Sequence, residues 1–171
     1  MLYHGSNVGG LHVIKANAKS HVTGECVAYF TEDRCYALVC CRDREENFVT
    51  MGIREDGKQH YFERFPNQLK ILYEGKCGYL YLRSSIDGMT KTKGHTWESK
   101  SDVWIDRCEV IQDVYLEILR EEKNGNIVIH RYSEIEAAEQ KMHANYIKEH
   151  LEESTENMKH FYITHFSSLW D

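Results

Sequence analysis

No apolar run in this 171-residue chain approaches the roughly eighteen residues needed to span a bilayer, so a membrane is not among the expected partners. Positive charge is in deficit as well: 21 Lys and Arg stand against 27 Asp and Glu, a net charge of −6. That balance excludes a global electrostatic footprint for DNA or RNA, although a small anion could still bind through local donors. Six cysteines are present, yet none forms a CxxC pair, and adjacent Cys40-Cys41 is a poor zinc pair. The opening does not resemble a signal peptide, because His4 interrupts its apolar start. Free thiols acting as small buried hydrophobes in a cytoplasmic protein are therefore expected. There is no internal repeat, low-complexity tract or heptad long enough for a coiled coil.

What remains describes an ordinary folded chain. Hydrophobic residues make up 42%, with three Trp, eleven Tyr and six Phe, which argues against disorder. The length suits one domain with a real core and no need of staples, or one domain with a helical appendage.

Residues 1–4 and 26–30 have the character of strands, and the glycine-containing segment 7–14 between them that of a loop. Thr31 is placed to cap a helix of roughly ten residues, with Glu32 and Asp33 at its positive end and Ala37, Leu38 and Cys41 toward the core. Phe48–Ile53 and His60–Phe65 flank an Asp56-Gly57 hairpin signal, and Pro66, the only proline, closes the second run. Leu69–Tyr73 and Gly78–Arg83 bracket a second hairpin. Ser84–Lys100 shows no periodicity, and loops of that length are usually functional or mobile. Val103-Trp104-Ile105 forms a short buried strand. Ile111, Val114, Tyr115, Ile118 and Leu119 recur at helical spacing, predicting a helix over 112–123 stopped by Asn124-Gly125-Asn126. Ile127–Tyr132 is a further strand.

From Ser133 the character turns helical. Ser133 and Glu136 make a capping box, Ile135–Leu151 is rich in helix formers, and Met158, Phe161, Tyr162, His165 and Phe166 offer an apolar stripe. The expected architecture is α+β: an α+β domain over 1–132 and a helical appendage over 133–171 that packs on it. The acidic tail could also receive a partner or a second copy of the chain.

Two short stretches carry the functional information. Tyr3-His4-Gly5-Ser6 ends one strand, and Ala28-Tyr29-Phe30-Thr31 ends another. An imidazole can donate or accept toward vicinal hydroxyls, a glycine lets backbone contact an amide, and a strand-held aromatic gives a stacking platform for a planar cationic ring. Together they suit a nucleotide cleft between strand ends.

This pair of motifs, with Tyr36-Ala37-Leu38 behind it, resembles the ADP-ribosyltransferase-fold family, in the branch that includes poly(ADP-ribose) polymerases and many small bacterial transferases. The likeness covers residues 2–41 and extends in fainter form to about 119. It implies a split antiparallel sheet, NAD as substrate without a metal, and transfer of ADP-ribose to an acceptor that the sequence leaves open among protein, nucleic acid, small molecule and water. By the same resemblance, His4 with Gly5 and Ser6 would bind ribose hydroxyls and the carboxamide end, and Tyr29 would stack on nicotinamide beside Thr31. The family's glutamate, which stabilises the oxocarbenium-like state as nicotinamide leaves, falls on Glu98. Aligning the 103–105 strand itself would place Ser101 or Asp102 there instead, and Glu109 lies beyond that strand.

Other classes stay open. The fold also serves transfer onto an RNA 2′-phosphate, through arginine and histidine contacts that have no placement here. It could be kept as a binding module for NAD or an ADP-ribose-like ligand, or the tail could make this an interaction protein. His143 and His150 lie seven apart with no zinc set around them, Cys40 and Cys41 lack a cause for a low pKa, and Lys91, Lys93, His95 and Lys100 make the 84–100 segment locally basic.

Overall fold

The computed structural model of the chain describes residues 1–43, 49–92 and 94–165. Phe48, Lys93 and Phe166 fall outside the described residues, as does the side chain of His165. The architecture is α+β, with a mainly antiparallel sheet and five α-helices among the described residues.

Strands β1 (Leu2–Ser6), β2 (Val13–Ile14), β3 (Ala18–Lys19) and β4 (Cys26–Thr31) lead into helix α1 (Arg34–Val39). Then come β5 (Thr50–Ile53), β6 (Gln59–Phe62), α2 (Gln68–Tyr73) and β7 (Gly78–Arg83). After β8 (Thr90–Lys91), β9 (Thr96–Ser99), β10 (Val103–Trp104) and β11 (Arg107–Ile111) follow α3 (Val114–Lys123) and β12 (Ile127–His130). The last helices are α4 (Ala137–His150) and α5 (Glu156–His165).

The main sheet runs β11-β7-β1-β4-β9-β8 with every pair antiparallel, and β3 also pairs with β4. Alternation places its residues in two cores, as a pleated strand requires. Leu80 and Leu82 of β7 join Leu38, Val39, Val114 and Ile118 under α1 and α3, whereas Tyr81 joins Leu2, Ala28 and Phe30 on the other side. Between β1 and β4 the register is a single pair, Tyr3↔Thr31, while β3 takes Val27 and Cys26 of the same strand. A seam opens in the sheet at this point.

Several expectations are corrected here. Asp33, not Thr31, caps α1: its Oδ1 accepts from Tyr36 N at 2.9 Å, and the helix is six residues long. Thr31 remains in the strand opposite Tyr3, with its Oγ1 accepting from Asp33 N at 3.1 Å. Leu69–Tyr73 belongs to helix α2, with Leu69, Leu72 and Tyr73 buried at i, i+3 and i+4. Buried Glu63 reaches forward to accept from Leu69 N at 2.9 Å, supplying an N-terminal partner from outside the helix. The 84–100 segment contains β8 and β9, and β11 is an additional strand. The Ser133–Glu136 capping box is absent: Glu136 caps α4 without a side-chain bond, and Glu134 accepts from Arg131 N instead.

A smaller sheet, β12-β6-β5, pairs β6 antiparallel with β5 and parallel with β12. Phe65 at its end packs with Ile147, Met158 and Tyr162, so Met158 and Tyr162 of the α5 stripe are covered within the chain. On the outer face the His130 ring stacks on Phe62 at 4.2 Å, and its Nε2 lies 2.8 Å from His60 Nδ1. His60 Nε2 meets the Asp56 carboxylate at 3.1 Å, so in the neutral pair His130 is the donor to His60.

Burial, helped by His60 and Arg54, holds the His130 imidazole below its ordinary value. His143, buried on α4 near Arg64, is depressed for the same leading reason. A depressed histidine contributes stability above its unfolded value of about 6.5 and loses it as pH falls through the folded value. The melting temperature should therefore drop on acidification below about pH 6.5, and His130→Phe should shrink that drop while His143 keeps part of it. Equal slopes in wild type and variant would show that His130 does not contribute to the acid sensitivity of the fold.

Candidate active site

The seam between β1 and β4 is bridged by a side chain. His4 Nδ1 donates to the Tyr29 carbonyl at 2.8 Å, with the imidazole 5.7 Å from the Phe30 ring and 6.5 Å from that of Tyr81. Because a carbonyl only accepts, the proton sits on Nδ1, and Nε2 is the acceptor nitrogen of the neutral ring. Beside this seam lies a cavity of about 420 Å³ lined by His4, Gly5, Tyr29, Thr31 and Glu98 together with Tyr3, Phe30 and Tyr36.

Glu98 is not a loop acid ahead of a later strand. It lies within β9, directly across from Tyr29 in the β4–β9 register, and is buried. Directly opposed residues project on the same face of a sheet with Cβ atoms about 5 Å apart. The carboxylate is held by Ser20, whose Oγ lies 3.1 and 2.9 Å from its two oxygens. The Tyr29 hydroxyl donates to Lys19 O at 3.1 Å and accepts from His21 N at 3.0 Å, which fixes its ring along the cavity.

Gly5 lines the cavity, but its missing side chain also seats α1: a Cβ there would come within 1.8 Å of the Ala37 carbonyl oxygen. Ser6 lies at the strand end outside the cavity lining, its Oγ accepting from Val8 N at 3.0 Å. Glu109 lies in β11 and pairs with Arg34, which also holds Glu117 and Glu121 at 2.7 Å each. Asp102 is tied to Lys15 and to Ala16 N. Neither acid borders the cavity.

The structure adds residues that sequence reasoning did not assign to the site. His21 and Val22 close one side, Tyr36 closes another from the first turn of α1, and buried Ser20 reaches the site from behind the lining through its bond to Glu98. Burial pushes the Tyr36 phenol up to about 12, so it stays neutral and serves as an aromatic wall with a hydroxyl. Cys40 also borders the cavity, and burial raises its thiol, which disfavours the nucleophilic thiolate. A spacing signal for Tyr36 existed in the Asp33 cap three residues before it, once that cap is recognised.

A second cavity, about 570 Å³, shares Glu98, Val22 and Thr92 with the first and is lined by Thr23, Thr90, Lys91, Lys100 and Ser101 among others. Its lysines are matched by nearby acids: Lys91 pairs with Glu32 at 2.8 Å and Lys100 with Glu25 at 2.6 Å. Lys91 and Lys100, two of the basic residues expected to attract an anion, are thereby engaged with acids. Among the described residues no group of three or more metal-ligating side chains is placed to hold a metal ion, and no helix is long and apolar enough to cross a membrane.

Chemically, the arrangement offers aromatic walls for a planar ring, an imidazole at a strand seam and one oriented carboxylate bordering two cavities. Comparison with protein-family models, curated proteins and solved structures finds no match to the chain.

Proposed function

We propose that this chain is an ADP-ribosyltransferase with a split antiparallel sheet, which cleaves the nicotinamide–ribose bond of NAD and transfers ADP-ribose to an acceptor. One observation carries the reading: His4, Tyr29 and Glu98, from three separate strands, border one cavity at a seam in the sheet.

In this reading His4 binds ribose hydroxyls through Nε2, while Nδ1 remains on the Tyr29 carbonyl. Tyr29 and Tyr36 form the walls for the nicotinamide ring, and Glu98 accepts a hydrogen bond from the nicotinamide ribose. As the carbon–nitrogen bond breaks, its electron pair leaves with nicotinamide and neutralises the ring. The anomeric carbon gains cationic character, which the oriented carboxylate stabilises. An acceptor lone pair then forms the new bond, and any proton on the acceptor is lost to solvent. The cavity's task is to hold geometry and exclude water rather than to supply a nucleophile.

The test is direct. Calorimetry should show NAD binding to the wild type, weakened about tenfold in Tyr29→Ala, where loss of one stacking face and its anchors amounts to about 1.4 kcal/mol. His4→Ala should weaken binding to a similar degree. Chromatography of the same wild-type mixture should show nicotinamide accumulating. No binding and no release would end this reading. Binding without release would replace it by a recognition module.

A further inference from the structure

We propose that Ser20 is a positioning residue for Glu98, orienting the carboxylate that the transferase reading above requires. The inference rests on that reading for its chemistry and on the hydrogen-bond network for its geometry.

Ser20 is nearly inaccessible, at 4% exposure, and sits immediately after β3 at the start of the turn that leads into β4. Its backbone is fixed at both ends of that turn: Ser20 N donates to Glu25 O at 2.8 Å, and Gly24 N donates to Ser20 O at 2.9 Å. Two further amides, Val22 N at 3.2 Å and Thr23 N at 3.1 Å, donate into Oγ. A hydroxyl has one hydrogen and two lone pairs. With amides donating to the lone-pair side, that hydrogen is directed at the Glu98 carboxylate, shared between oxygens at 3.1 and 2.9 Å. Each amide also polarises the O–H, making it a stronger donor to the carboxylate.

The same turn holds the aromatic wall. His21 N donates to the Tyr29 hydroxyl at 3.0 Å, and that hydroxyl donates to Lys19 O at 3.1 Å. Residues 19–23 thus fix the ring of Tyr29 and the carboxylate of Glu98 together, although the two residues lie on different strands. Without the Ser20 hydroxyl the carboxylate keeps its strand but loses its only hydrogen-bond donor among those described, and it can rotate about its last torsion.

Ser20→Ala is the test, read as kcat and KM for nicotinamide release, with NAD affinity by calorimetry and melting temperature on the same preparation. The expected result is a kcat about tenfold lower, since misplacement of a reacting group costs rate, with KM and NAD affinity within about twofold. Ser20→Thr, which keeps the hydroxyl, should recover most of the loss. An S20A kcat within twofold of wild type, or a rise in KM at unchanged kcat, would overturn the positioning role while leaving the transferase reading intact. A wild type that binds no NAD and releases no nicotinamide would overturn both. Should S20A melt well below wild type, S20T decides alone: wild-type kcat supports the role, and a tenfold loss in a stable S20T overturns it.

Discussion

Glu98→Gln should lower nicotinamide release by about 10²- to 10³-fold while NAD affinity changes little. The substitution keeps size and shape and leaves Oε1 able to accept from Ser20, so the strand and the turn should stay as they are. What it removes is a full negative charge beside a carbon that becomes positive only as the bond breaks. An interaction made mainly in the transition state lowers kcat and kcat/KM together and spares binding. Single-turnover release measured beside calorimetric affinity checks it. Full activity in Glu98→Gln would remove the carboxylate from the chemistry. The parallel change Glu109→Gln should leave turnover near wild type, because Glu109 is engaged with Arg34 away from the cavity.

Gly5→Ala should destabilise the fold by about 3 kcal/mol or more, lowering the melting temperature by roughly 10 °C for a chain of this size. The added methyl would fall 1.8 Å from the Ala37 carbonyl oxygen and 2.7 Å from its carbon, both backbone atoms of α1. Backbone cannot rotate aside as a flexible side chain can, so α1 must lift from β1. Leu38 and Val39, fully buried on α1, would move with it, as would Tyr36 on the cavity wall. Thermal and urea melts of the purified variant decide the matter, and a melting temperature within two or so degrees of wild type would show that α1 can shift without loss. Gly5 thus has a packing reason to be glycine, independent of any ligand.

The two strand ends were legible because short apolar runs there meet glycine, serine and threonine within a few residues, and both cavity residues, His4 and Tyr29, lie on them. Glu98 could be chosen but not placed. Thr96-Trp97-Glu98-Ser99 breaks the usual apolar alternation because polar side chains face a cavity, so a strand there resembles a loop. Leu69–Tyr73 misled for another reason: so short an apolar run does not separate the two periods, and the helix shows in Leu69, Leu72 and Tyr73 buried at i, i+3 and i+4, with Glu63 receiving the Leu69 amide. The helix after Tyr29 is legible, yet two capping residues two positions apart, Thr31 and Asp33, compete for its start, and Thr31 is committed to pairing with Tyr3. Ser20 offered no signal at all, since its role exists only where a turn touches a strand 78 positions later.

The parallel register of β12 on β6 bears on synthesis at the ribosome. β6 emerges early with β5 as a two-stranded hairpin, an arrangement of marginal stability in water. Its other neighbour, Ile127–His130, is made only after β7, β11 and α3. During that interval the growing chain carries an open strand edge next to Tyr61, a side chain that ends fully buried. A nascent polypeptide halted before Ile127 would keep this edge exposed, making it the place where chaperone capture or aggregation begins.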